Sequence, residues 1–231
     1  HLKYGLLHSR FPLYRREEIE NEWMEMLGKG EAKRPNGSIL LATQILEQSV
    51  DIDADYMISE LAPIDMLLQR TGRLWRHRRT NRPCKEPVLT ITMENDPTLC
   101  TPLDEDAFQS CTGTGSWYVY APYVLLRTWE ILAQQRSLTL PADIRLFLEN
   151  VYDSASIPTE PGLHLTLYQK MLKKQKKLQE LAISVGVEVT SLPTRSDDDQ
   201  KAPTRYNSQV TASLLIVRDL DPAAGRDTIS M

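Results

Sequence analysis

The chain has 231 residues, of which 41% are apolar and 25% charged, with a formal net charge of −4. That length allows one medium domain or two small ones, and the composition excludes wholesale disorder. The acidic balance excludes a globally basic nucleic-acid coat and still allows a basic patch. No uncharged apolar run of about 18 residues exists to span a membrane. Cys84, Cys100 and Cys111 form neither a CxxC pair nor an even set. The expectation is a reducing, cytoplasmic compartment in which thiol chemistry plays no part.

The chain opens at His1 directly into Leu2–Leu7, which reads as a strand already under way. With no initiator Met and no signal peptide, a fragment of a longer chain is expected. Residues 13–29 read as a helix, with Ile19, Trp23, Met26 and Leu27 on one stripe. Pro35-Asn36-Gly37 is a turn before the buried-strand run Ile39-Leu40-Leu41-Ala42. Val50-Asp51-Ile52-Asp53 leads into a second apolar strand, Tyr56–Ser59. Pro63 opens a helix from Ile64 to Arg73, where a missing amide proton costs nothing. Val88–Met93 closes the unit as a strand. Strand, helix, strand, strand, helix, strand with short connections predicts an α/β layer of mostly parallel strands.

Residues 94–117 are turn-rich, with Pro97, Pro102, Gly113, Gly115 and the acidic run Asp104-Glu105-Asp106. Helices are expected at 122–136, 141–153 and 165–184, the last with Lys170, Lys173, Lys174, Lys176 and Lys177 on its polar side. Residues 191–204, with Asp197-Asp198-Asp199, read as a mobile connector. Val210–Val217 would start or join a further small domain.

Three stretches carry the chemistry. Arg70, Arg73, Arg76, Arg78, Arg79, Arg82 and Lys85 fall in one run, and residues 69–85 contain no acid. Within Gln69-Arg70-Thr71-Gly72-Arg73-Leu74-Trp75-Arg76, arginines at i, i+3 and i+6 suit phosphate forks. Gly72 allows a turn or a close approach beside them. A solvated basic helix end is the competing reading. The second stretch is Ala42–Asp53, polar groups at a strand end where the loops of a parallel sheet gather and ligands bind. Thr43 and Gln44 suit a phosphate or sugar, and Asp51 a ribose hydroxyl. Asp51 and Asp53 make only a weak Mg²⁺ signal, and taken alone an Asp-rich turn capping the strand is the favoured reading. The third stretch is Leu7-His8-Ser9-Arg10-Phe11, where Ser9 and Arg10 suit a phosphate backbone and His8 reads equally well as a satisfied loop histidine.

Ordered along one sheet, each at a strand end, these stretches resemble the second RecA-like domain of a superfamily 2 helicase. In detail they are similar to the CRISPR-associated helicase–nuclease family Cas3. The likeness rests on Leu7–Phe11 with Arg15-Arg16 and Ile19-Glu20, on Ile39–Asp53 (ILLATQILEQSVDID), and on Leu61–Asp65 running into Gln69–His77 (QRTGRLWRH). It implies a partial RecA-like domain over residues 1–95, a helical linker over 96–195 and the start of an accessory C-terminal domain over 196–231.

It further implies a motor with ATP between two RecA-like domains and single-stranded DNA crossing above both. Arg73 and Arg76 would then be arginine fingers reaching the γ-phosphate, with Gln69 and Arg70 supporting them and Gly72 between. Thr43 would touch the DNA backbone beside Gln44, Asp51 would face the nucleotide sugar, and Ser9 and Arg10 would approach DNA phosphates. Partners implied are the first RecA-like domain and a CRISPR RNA-guided surveillance complex.

The chain has no GxxxxGK[ST] loop, no DExx run suited to Mg²⁺ and no HD pair for a two-metal nuclease centre. ATP and Mg²⁺ would therefore be held mainly by the first RecA-like domain, and transition metals by a separate nuclease domain. The 231 residues would supply half of a site and be inactive alone. The alternative is a non-catalytic helicase-like scaffold, against which the Gln69, Arg70, Arg73 and Arg76 set argues. A single-domain nucleotide-binding enzyme fails for want of a Gly-rich phosphate loop.

Overall fold

The computed structural model describes residues 2–30, 34–35, 37–47, 50–93, 105–112, 114–135, 137–153 and 157–188. Asn36, Pro97, Cys100, Pro102, Asp104, Gly113, the 191–204 connector and Val210–Val217 lie outside the described residues.

Strand β1 (Lys3–Leu7) leads into helix α1 (Leu13–Leu27), and β2 (Ser38–Ala42) returns parallel to β1 with Leu7 opposite Ala42. A 3-10 turn at Gln44–Glu47 follows, then β3 (Tyr56–Glu60), α2 (Ile64–Thr71) and β4 (Val88–Thr92), which is parallel to β3. The predicted order of strands and helices stands, but the single sheet does not. Among the described residues the strands hydrogen-bond as two separate pairs. The segment between them satisfies its backbone elsewhere: Asp53 N–H donates to Leu27 O at 2.8 Å, and Ala54 bridges Leu74.

The β1–β2 pair packs one face on α1. Gly5 makes this possible, because a Cβ there would lie 2.5 Å from the Trp23 ring. Trp23 is 1% exposed in a core with Leu7, Ile19, Leu27, Val50 and Ile52, as expected from its place on the apolar stripe of α1. The expected burial of Ile39–Ala42 is only half right. Ile39 and Leu41 are 50% and 65% exposed, sharing an outward face with Tyr4 and Leu6 by the strand register, and among the described residues no second layer covers them.

Residues 105–119 correct the turn-rich reading. They form α3 (Glu105–Thr112) and α4 (Thr114–Val119), because Phe108, Cys111 and Thr112 make one buried helical stripe. Among the described residues Cys84 is a free, partly buried thiol. Helices α5 (Pro122–Gln134), α6 (Ile144–Tyr152) and α7 (Leu163–Glu188) follow. They dock on the α/β part through two apolar clusters. Leu61 joins Phe108, Trp117, Leu125, Leu126 and Leu167 in one. In the other, Ile64 and Leu68 of α2 meet Phe147 and Val151 of α6.

Candidate functional site

Parallel pairing puts the ends of β1 and β2 side by side, and Thr43 N–H donates to Leu7 O at 3.1 Å. Ser9 and Arg10 in the turn after β1 therefore share one edge with Thr43, and all three are exposed. Arg10 N–H donates to His8 Nδ1 at 3.1 Å, and the His8 ring stacks on Phe11. His8 is a loop histidine that shapes this turn.

Helix α2 ends two residues before the predicted Arg73. Gly72 caps it at φ −63°, an ordinary right-handed conformation, so no special backbone freedom is used there. What turns the chain is Trp75, at φ 46°, a left-handed conformation costing a non-glycine residue about 1–2 kcal/mol. Its indole N–H donates to Asp55 O at 3.1 Å and Arg82 lies over its ring. These contacts hold the turn and make Trp75 a packing residue.

The arginines of this turn have different tasks. Arg70, on α2, is spent within the protein. Its Nε and Nη2 donate to Glu47 Oε1 at 2.9 and 2.7 Å, Nη1 to Ser59 Oγ at 2.6 Å, and Nη2 to the Tyr120 hydroxyl at 3.2 Å. Arg73 donates to the backbone carbonyls of Leu46 and Glu47 at 3.3 and 3.0 Å. Burial, then the neighbouring Arg76 charge, lowers its pKa from the usual guanidinium value. A cation held at such a cost gains when an anion arrives. Arg76 is more open: its Nε lies 2.5 Å from Asp51 Oδ1, with 40% of its side chain exposed. Gln69 is exposed on the same turn of α2.

Asp51 and Asp53 do not face a common point. Asp51 pairs with Arg76 and lies 3.5 Å from His77 Nε2. Asp53 is fully buried, accepting from Arg79 and, at 2.9 Å, from Arg82. Burial alone would raise its pKa, but the Arg79 and Arg82 hydrogen bonds outweigh that and hold the carboxyl below its ordinary range. Arg82 and Arg34 extend the network to Asp55. The Asp51–Asp53 spacing is thus a strand-to-loop staple, in keeping with an Asp-rich turn at the strand end. Among the described residues no group of three His, Cys, Asp or Glu side chains could hold a metal.

Sequence reasoning missed Glu47, Ser59 and Tyr120 as members of this site. Glu47 carried a signal: an acid inside an apolar turn 23 positions before an arginine that needs a partner. Tyr120 carried none, because its contacts span 76 and 50 residues.

The resulting arrangement is a basic turn stapled to a polar strand edge. The family model described as "CRISPR-associated nuclease/helicase Cas3, C-terminal" matches residues 1–79, the stretch that builds both. The CRISPR-associated endonuclease/helicase Cas3 of Thermus thermophilus is 38% identical over 177 residues, 76% of this chain. The chain belongs to the Cas3 family. Its match spans 18% of that relative's length. The crystal structure of T. fusca Cas3-ATP superposes with a TM-score of 0.61 at 32% identity, over 76% of this chain and 19% of that one. A structure described as "CRISPR RNA-guided surveillance complex, pre-nicking" gives 0.57 at 31% identity, over 76% and 20%. The α/β fold with small parallel sheets is the Cas3 helicase C-terminal fold, and nucleotide binding is a property of Cas3 structures. No helix among the described residues is long and apolar enough to cross a membrane.

Proposed function

We propose that this Cas3 segment is the second half of an ATP-dependent single-stranded DNA motor acting in CRISPR defence. Residues 1–95 are the RecA-like unit, 96–195 the helical linker and 196–231 the start of the accessory domain. ATP and Mg²⁺ are held mainly by the first RecA-like domain of the longer protein, whose nuclease domain uses transition metals. The surveillance complex recruits the whole in the cytoplasm.

One observation carries this reading. The basic turn and the polar strand edge are fastened to each other by Arg73 on the Leu46 and Glu47 carbonyls and by Arg76 on Asp51. A shift of either part therefore moves the other. Bound ATP supplies the phosphoryl group that is transferred to water. Arg73 and Arg76 present guanidinium donors to the charge that develops on it, the task for which such groups are suited. Arg76 leaves Asp51 to do so, which frees the Asp51 carboxylate for a ribose hydroxyl. Arg70 and Gln69 support the turn, and Gly72 accepts from Arg76 Nη1 at 3.4 Å. Ser9, Arg10, Thr43 and Gln44 line the DNA side, where exposed hydroxyls and a guanidinium suit a sugar–phosphate backbone.

DNA-stimulated ATP turnover in the full-length protein, wild type against Arg73→Ala and Arg76→Ala, tests the reading. Turnover should fall about a hundredfold or more with ATP binding largely kept, since arginine fingers are worth roughly 10³–10⁵ in the best cases. Unchanged turnover in both variants would favour a non-catalytic scaffold.

A further inference from the structure

Tyr120 stands at the corner between α4 and α5, in the helical part of the chain. Its hydroxyl lies 3.0 Å from Gln44 Nε2 and 3.2 Å from Arg70 Nη2. A phenol oxygen has the capacity to meet both groups at once, and either orientation of the Gln44 amide leaves it bridging them. Gln44 opens the turn at the strand edge, whereas Arg70 sits one helical turn before Arg73. The same 44–47 turn also accepts Arg70 at the Glu47 carboxylate and Arg73 at its carbonyls. One hydroxyl from the helical region therefore touches both sides of the site.

The corner around Tyr120 is well anchored. Ser116 Oγ donates to Leu61 O at 2.8 Å, and Trp117 is buried against Leu61 and Phe108. Tyr120 itself is only half-buried, so its hydroxyl is not needed to fill the core.

We propose that Tyr120 is a positioning residue whose hydroxyl couples the DNA-side Gln44 to the nucleotide-side Arg70, making stimulation of ATP turnover by DNA depend on the helical region. The coupling rests on the half-motor reading and deepens it. DNA contact at the strand edge fixes Gln44, Gln44 fixes the hydroxyl, and the hydroxyl fixes the Arg70 guanidinium at the end of α2, from which the turn carrying Arg73 and Arg76 leads off.

The test uses the full-length protein with Tyr120→Phe, which removes one oxygen and keeps the ring. Single-stranded DNA is titrated while ATP turnover is read, and fluorescent ADP binding and the thermal midpoint are measured alongside. Tyr120→Phe should lower the ratio of DNA-stimulated to DNA-free turnover about five- to tenfold, the scale of one ordinary lost hydrogen bond. Ser116→Ala loosens the same corner without touching Gln44 or Arg70, so it should lower the thermal midpoint and keep the ratio. An unchanged ratio in Tyr120→Phe, beside a dead Arg73→Ala, overturns the coupling alone. An equal fall in Ser116→Ala also overturns it, reducing Tyr120 to a packing role. Absence of DNA-stimulated turnover in the wild type would overturn the half-motor reading and the coupling together.

Discussion

Arg73 Nη2 donates to the backbone carbonyl of Glu47 at 3.0 Å, while the Glu47 carboxylate accepts from Arg70. One turn thus receives two arginines three positions apart, one at its backbone and one at its side chain. The basic run is thereby divided. Arg70 is locked inside, Arg73 is half-held, and Arg76 stays exposed on an acid from which it can be released.

Arg70→Lys should be nearly as damaging as Arg70→Ala. Lysine brings a point charge but cannot reach Glu47, Ser59 and Tyr120 in one fork. Glu47 is 7% exposed, and leaving such an acid without its fork costs about 3–5 kcal/mol. Chemical denaturation of both variants checks this; a lysine variant as stable as wild type would contradict the assigned geometry.

Asp53 should give the protein an acid-sensitive limb. Its folded pKa is lowered by Arg79 and Arg82 against the opposing effect of burial. The stability it contributes is therefore present above the unfolded carboxylate value, about 3.9, and is lost as pH falls through the lower folded value. Asp53→Asn should flatten that limb while costing stability at neutral pH, because Arg79 and Arg82 keep no charged partner at Asp53. Denaturation midpoints between pH 2 and 7, a window set by about that reference value, measure both effects.

Gly5→Ala should destabilise the β1–α1 contact. The added methyl would meet the Trp23 ring at 2.5 Å, and overpacking of this kind costs about 1–3 kcal/mol. Gly30→Ala, where a Cβ meets nothing within 4 Å, is the control. Equal thermal midpoints for the two variants would contradict the packing.

Expressed as these 231 residues alone, the chain should self-associate through its bare sheet faces. Tyr4 is 79% and Leu41 65% exposed on one strand pair, and Ile58 is 65% exposed on the other, and apolar sheet faces left open in this way favour association. Leu41→Lys with Ile58→Lys should lower the sedimentation-derived mass and the binding of an apolar dye. A monomeric wild-type chain would contradict the prediction.

The elements of the first ninety residues were legible because each carries its period locally: Ile19, Trp23 and Leu27 for α1, and Ile64, Leu67 and Leu68 for α2. Arginine clustering and the strand-end placement of Thr43 and Ser9 were legible for the same reason. The split sheet was not, because pairing between strands is a long-range matter that Asp53 and Ala54 decide through Leu27 and Leu74. Helices α3 and α4 were obscured by Gly113 and Gly115, which read as turn residues. Neither the division of labour among Arg70, Arg73 and Arg76 nor the part of Tyr120 has any sequence period; both follow from where distant carbonyls and hydroxyls come to rest.

The most direct measurement is trapping of a transition-state mimic, ADP with aluminium fluoride, on the full-length protein in the presence of single-stranded DNA. Groups that act only as charge develops hold such a mimic far more tightly than they hold ADP. Wild type should retain the mimic through gel filtration, whereas Arg73→Ala and Arg76→Ala should bind ADP normally and release the mimic. Retention by both variants as firm as in the wild type would contradict the finger assignment and with it the proposed motor role of this turn.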